Sequence, residues 1–305
     1  MNARAKTIGG TAADTQGLTS VRPVLELSGT KLRIGLERLV HASESLGGIE
    51  RFAEAVRLKS TVFQERLADD KARSIGRAQL DEIVPMMATA RRRIGPLLEA
   101  RVWEGTRTAI ATLLDKAHDT TIADQRIAAF ESDLRRLGQI NGAEPLGKDR
   151  FLRDLASELL HNTYPEHYPL MHRWVWDAKA NTGVVRQIWH DLKGAGDDVD
   201  HIVIAVADGY ETHLALREEL SQFLADNGVF RDMLWHVDLL CAQIYGDYIS
   251  AQGGAYLKAD FVSEGDPLEH TRRILGLDRV AGKRLRDRKT IDGAAEVLPD
   301  TKLLS

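Results

Sequence analysis

Between residues 229 and 249, Val229, Phe230, Met233, Leu234, Val237, Leu240, Cys241, Ile244, Tyr245, Tyr248 and Ile249 recur mostly at intervals of three and four. A chain that keeps apolar groups in step for about six turns can bury them together only as one long helix. The apolar face is broad, which marks a core helix rather than a surface one. Phe230, Met233, Val237, Leu240 and Ile244 are predicted to point inward, and the remaining elements must pack around them.

Those elements read as helices as well. Ser28 can cap a helix to about residue 45 with Leu32, Leu36, Leu39 and Val40 on one face, and Gly47-Gly48 end it. A short helix carrying Phe52, Ala53 and Val56 follows, then a second with Val62, Phe63 and Leu67. Leu80, Ile83, Val84 and Met87 mark 77–93, which Pro85 kinks or begins. Pro96 opens a helix to about 117, and Ile127, Phe130, Leu134 and Leu137 mark another over 122–137. Beyond a Gly- and Pro-bearing stretch at 138–150, helices are predicted over 151–161, from about 170 to 191, and from 210 to 225. Asp266-Pro267-Leu268-Glu269 reads as a cap, and that last helix stops at Gly276. The run at 199–206, Val-Asp-His-Ile-Val-Ile-Ala-Val, is alone in looking like a strand, and one strand cannot make a sheet.

The expectation is therefore a mainly α, multi-helix globular bundle with at most one short β segment near 199–206. Its predicted organisation is a disordered lead-in at 1–22, an N-terminal helical part at 23–140, a C-terminal helical part at 149–277 and a polar basic tail at 278–305. At 305 residues, 43% of them hydrophobic and 28% charged, the chain can bury a sizeable core. A net charge of −4 excludes a globally basic nucleic-acid binder but leaves room for a local basic patch. Cys241, the only cysteine, excludes an intramolecular disulfide and a cysteine-based zinc site, and points to a reducing cytoplasm. No apolar run reaches the ~18 residues of a membrane span, and the first twenty residues have no secretory apolar region.

Chemistry concentrates at 161–190, which holds four of the ten His, three of the five Trp and two of the six Tyr. Such side chains combine contact area with a polar atom, so they suit junctions and binding surfaces alike. Glu158-x-x-His161 puts a carboxylate and an imidazole on one helix face, a spacing used by helix-bundle metal sites. No second such motif accompanies it, and a helix-end histidine bonded to backbone is the simpler expectation. On a 170–191 helix, Trp174 and Trp176 would face opposite ways, one into the core and one toward a partner, with Arg173 and Asp177 paired one turn apart.

The run from Leu159-Leu160-His161 to Tyr168-Pro169-Leu170-Met171-His172-Arg173-Trp174-Val175 resembles a segment of helix-hairpin-helix DNA glycosylase-like proteins over about 17 residues. There a helix, a Pro-bracketed turn and an Asp precede a buried valine. This chain has His172 where that Asp falls and no Gly-rich hairpin with a lysine before it, and both departures speak against glycosylase activity.

Three functional readings follow. The leading one is non-enzymatic: a macromolecular partner, either another protein or a second copy, bound through Tyr164, His167, His172, Arg173, Trp174 and Trp176, since interfaces enrich aromatic residues. The second is an enzyme whose pocket lies between the two parts, with Glu158, His161, His172 and Asp177 as acid–base groups. The third is nucleic-acid binding through Arg91-Arg92-Arg93, otherwise a solvated helix edge, and through tail residues Lys283, Arg284, Arg286, Arg288 and Lys289. No motif implies a cofactor or a metal, and nothing implies a membrane.

Overall fold

Eleven α-helices form among the residues that the computed structural model describes, namely 22–140, 150–190, 203–252 and 267–279. Residues 1–21 of the lead-in, most of the basic tail including Lys283, Arg284, Arg286, Arg288 and Lys289, and residues 199–202 lie outside that set. The protein is mainly α. Residues 203–206 belong to no strand, and the only β pairings among the described residues are isolated antiparallel bridges, Leu27 with Trp189 and Asp177 with Thr182. No described helix is long and apolar enough to cross a membrane.

The N-terminal helices are α1 (Gly29–Glu44), α2 (Ile49–Leu67), α3 (Lys71–Ser74), α4 (Arg77–Ile83), α5 (Ala100–Leu114) and α6 (Ala123–Ile140). Ser28 caps α1 as its position predicts, its hydroxyl accepting the Lys31 N–H at 3.4 Å. The two short helices expected after it are one, α2, because the polar pair between them is not a break. Lys59 ion-pairs with Glu158, and the Ser60 hydroxyl donates to the Asn162 carbonyl at 2.8 Å, so both stay on the packed face. Pro85 ends α4 instead of kinking a longer helix. A 3₁₀ turn at Val84–Met86 and non-helical turns to residue 93 follow, as expected of a residue that cannot donate to the ladder.

The C-terminal helices are α7 (Phe151–Thr163), α8 (Val184–Ile188), α9 (Tyr210–Asp226), α10 (Met233–Gln252) and α11 (Glu269–Ile274). The helix predicted over 170–191 is absent apart from α8. Its place is taken by turns that α7 holds through a stripe of polar side chains. Asp154, Ser157 and His161 lie three, four and seven residues apart on one face of a helix buried almost all round. The Ser157 hydroxyl accepts the Met171 N–H at 2.8 Å, and the Asp154 carboxylate accepts the Arg173 N–H at 3.0 Å. The Tyr168 carbonyl lies 2.9 Å from Nδ1 of His161. Buried polar groups must be paired, and here they find backbone partners in the turns, while the Trp174 and Val175 carbonyls, which a 170–191 helix would have used internally, accept the Val184 and Val185 N–H groups at 3.0 and 3.1 Å.

α10 is the central helix, packing against α1, α2, α8, α9 and α11, while α7 packs against α2, α5 and α6. One hydrophobic cluster runs from Leu25 to Leu277, so the helices of the first half and the second interlock in a shared core. Val237, Leu240 and Ile244 are buried in it as predicted. Phe230 is not: it is 76% exposed. The backbone takes φ 50° at Asp232, whose carbonyl receives the first helical N–H groups, so the chain turns before α10 begins and Phe230 is carried outward. α11 begins at Glu269 behind Pro267 and Leu268, and Asp266, the cap that the sequence predicts, lies outside the described residues.

Candidate functional site

The polar stripe of α7 also carries Glu158, and with it a buried cluster of charge. Glu158 pairs with Lys59, whose ammonium also donates to the Leu275 carbonyl at 2.9 Å. Nε2 of His172 lies 3.1 Å from the other carboxylate oxygen, off the line of a hydrogen bond. Nδ1 of His172 accepts the Trp174 indole N–H at 2.8 Å, which leaves Nε2 as the ring nitrogen that carries the proton. Burial pushes the Glu158 carboxyl up, but the Lys59 charge, with the His172 ring N–H beside the carboxylate, outweighs it and holds it at about 2. Glu158 is therefore a carboxylate in the core.

His161 turns the other way. Its Nε2 lies 2.8 Å from the Asp238 carboxylate and its Nδ1 faces the Tyr168 carbonyl, so both nitrogens meet acceptors. Burial alone would lower its pKa. The Asp238 charge and the two hydrogen bonds raise it instead, and the ring is an imidazolium. Glu158 and His161 thus serve different partners and do not share a ligand position. Glu158, His161 and His172 are buried, and Asp177, also buried at 5% exposure, is the one of the four predicted acid–base residues that lines the cleft above them.

Above this cluster opens a cleft of about 660 Å³. One side is the turn that follows α4 and the Pro85 3₁₀ turn, with Ala88, Thr89, Arg91, Arg92 and Arg93. The start of α7 and the turns it holds supply Arg150, Asp154, Arg173, Trp174, Asp177 and Thr182, while α10 adds Tyr245 and α11 adds Arg273. Six guanidinium groups thus face two carboxylates. Arg173 is fastened to Asp154 by its Nη2 at 2.6 Å and its Nε at 3.1 Å, and Arg150 to Asp177 at 2.9 Å. The Arg173–Asp177 pair expected from helical spacing is replaced by these two because the segment is not a helix. Arg91 makes a two-pronged pair with Asp278 at 2.8 and 2.9 Å. Arg92 and Arg93 are exposed and make no ion pair among the described residues. They stand on a turn, not on the helix edge that their sequence predicts.

The aromatic floor is ordered from below. Trp174, 8% exposed, is fixed by His172, and the Tyr245 ring stands against it with centroids 5.7 Å apart and planes tilted by 34°. Tyr245 is partly exposed and continues to Tyr248 at 6.0 Å. The chain Lys59–Glu158–His172–Trp174 therefore ties the sealed charge cluster to the cleft, and Lys59 ties the same cluster to the carboxyl end of α11 through Leu275.

Of the residues predicted to meet a partner, only Arg173 and Trp174 line this cleft, joined by Asp177 from the acid–base set. Trp176 is fully buried, its indole donating to the Val206 carbonyl at 3.0 Å, and it offers no docking surface. Tyr164 is buried, with its hydroxyl accepting the Asp69 N–H at 3.1 Å. His167 lies away on another face, 2.9 Å from the ring of His118. Sequence reading missed Lys59, Arg150, Asp154, Tyr245 and Arg273. Lys59 carries a legible signal, because Phe52, Val56, Lys59 and Phe63 fall at helical intervals and put a lysine on an apolar face. The others announce nothing, since their meeting depends on contacts between distant segments. Comparison with protein-family models, characterised proteins and solved structures gives no match for this chain.

Proposed function

We propose that the protein binds a nucleic acid through the arginine-lined cleft. The observation that carries this reading is the pair of exposed guanidinium groups, Arg92 and Arg93, that make no ion pair among the described residues and border one concave, aromatic-floored space. Guanidinium forks match phosphate oxygens two at a time, and a partly exposed tyrosine beside them suits a base. The chain as a whole is acidic, at −4, so the local concentration of positive charge is a property of this face. Arg92 and Arg93 are the phosphate contacts, and Arg91, Arg150 and Arg173, already oriented by carboxylates, shape the walls around them. The nucleic acid takes the place of a protein partner or second copy, because Tyr164, His172 and Trp176 are withdrawn into the core. Acid–base catalysis is not part of this reading. The single cysteine, Cys241, is buried and fits a reducing compartment, which we take to be the cytoplasm.

Fluorescence anisotropy of a labelled oligonucleotide against increasing salt tests the reading. Affinity is expected to fall linearly on logarithmic axes as counterions compete, and the Arg92→Ala/Arg93→Ala double variant is expected to lose most of it. Affinity that ignores salt, or that survives the double substitution, removes the cleft as the binding site.

A further inference from the structure

The geometry points to an unpaired strand, rather than a duplex, as the form of nucleic acid that the cleft takes; this rests on the nucleic-acid reading above. Three observations carry it. The first is shape. A volume of about 660 Å³ is that of a small-ligand pocket, in a range of roughly 300–1,000 Å³. Duplexes are read by elements that protrude into a groove about 12 Å wide. Here the guanidinium groups are set into a concavity, where a rigid rod cannot follow them and a flexible backbone can.

The second is charge. Arg91, Arg150 and Arg173 are each held by a carboxylate, Asp278, Asp177 and Asp154. Arg92 and Arg93 make no ion pair among the described residues. Two adjacent guanidinium groups match two successive phosphates of one strand, whereas duplex binders commonly neutralise about 6–10.

The third is the floor. Tyr245 presents its partly exposed ring against a Trp174 that His172 holds by a 2.8 Å hydrogen bond. Unpaired bases stack on such a ring in a sequence-tolerant way. Bases inside a duplex have no free face to offer.

The experiment compares one short labelled single strand with its duplex on the full-length protein, titrating salt in each case. The single strand is expected to bind at least about tenfold more tightly, with a salt slope near −1.4 for two phosphates. Arg92→Ala/Arg93→Ala is expected to weaken the single strand by a larger factor than the duplex, which separates the cleft from any contribution of the basic tail. Tyr245→Ala is expected to weaken the single strand by a larger factor than Tyr245→Phe, which keeps the ring, with thermal melts confirming that each variant is folded. Equal or tighter duplex binding, or a double variant that weakens both forms alike, overturns the preference for a strand and leaves nucleic-acid binding standing. An unlabelled mononucleotide that competes as well as the strand overturns it in favour of a free nucleotide. Failure of both strand and duplex to bind removes the nucleic-acid reading itself.

Discussion

One turn of α7 separates two treatments of charge. Asp154 faces the cleft and helps to set Arg173 at its wall; Glu158 and His161, four and seven residues on, face the core. In the core Glu158 has the Lys59 ammonium within reach, and His161 has the Asp238 carboxylate. In the cleft the positive groups exceed the negative ones, and the two arginines outside any ion pair among the described residues stand in solvent. The difference follows from solvation. An unpaired charge costs several kcal/mol in the interior and little in water, so an unmatched surplus can persist only where water, or a ligand of opposite charge, reaches it. The sealed cluster sets position, and the open one is available for binding.

The sharpest way to break this comparison is to unpair the sealed side. Glu158→Ala leaves the Lys59 ammonium buried without its counter-charge and is expected to cost about 3–5 kcal/mol in urea denaturation. Replacing both partners, as Lys59→Met with Glu158→Leu, is expected to recover most of that loss, because apolar groups of similar volume need no partner. A single variant within about 0.5 kcal/mol of the parent would show that water reaches the pair and that the two regions differ only in degree.

A second effect, on the order of 3 kcal/mol, separates the histidines by pH. His213 is buried, with Nδ1 2.9 Å from the Gly209 carbonyl and Nε2 without a partner among the described residues. Burial lowers its pKa from 6.5 to about 4. The unfolded chain takes up that proton below 6.5 and the folded protein does not until about 4, so stability falls as pH drops through this window. His161 has the opposite sign. Its folded pKa is raised, so its contribution is complete below 6.5 and is lost as pH rises through the folded value. His213→Gln is expected to flatten the acid limb of a stability-versus-pH curve. An unchanged limb assigns the loss to another group.

Much of the fold is legible in the sequence and little of the site. The Ser28 cap of α1 depends on neighbours in the chain, and the apolar stripe at Val237, Leu240 and Ile244 depends on helical period, so local rules find both. The segment around Met171–Trp174 is misread as helix because its own residues permit one. Val184 and Val185, ten residues downstream, donate instead to the Trp174 and Val175 carbonyls that such a helix would have used. The cleft is harder still. Arg91 and Arg273 reach it from opposite ends of the chain, and Gly276 allows α11 to lie against the Met86 carbonyl, with φ 72° and no room for a side chain there. Spacing rules carry no information about such meetings. A lysine in the apolar stripe of α2 is the one local mark of the buried cluster that sequence reading could have followed to Glu158.

The smallest expected effect is the most decisive for the open side. Arg92→Ala/Arg93→Ala removes two charges that hold no ion pair among the described residues, so its stability is expected to stay within about 0.5 kcal/mol of the parent. Arg150→Ala belongs between the extremes: it deprives Asp177 of one partner, but the Ala180 N–H still donates to that carboxylate at 2.9 Å. The order of stability loss should therefore run Glu158→Ala, Arg150→Ala, then the Arg92/Arg93 pair, while the order of loss in oligonucleotide affinity at matched temperature should place the Arg92/Arg93 pair first. Residues that stabilise the fold and residues that contact a ligand would then be separated by two measurements on the same variants. An Arg92→Ala/Arg93→Ala protein that melts as early as Glu158→Ala would mean that these arginines hold the wall together, and the contrast between sealed and open charge would no longer account for the cleft.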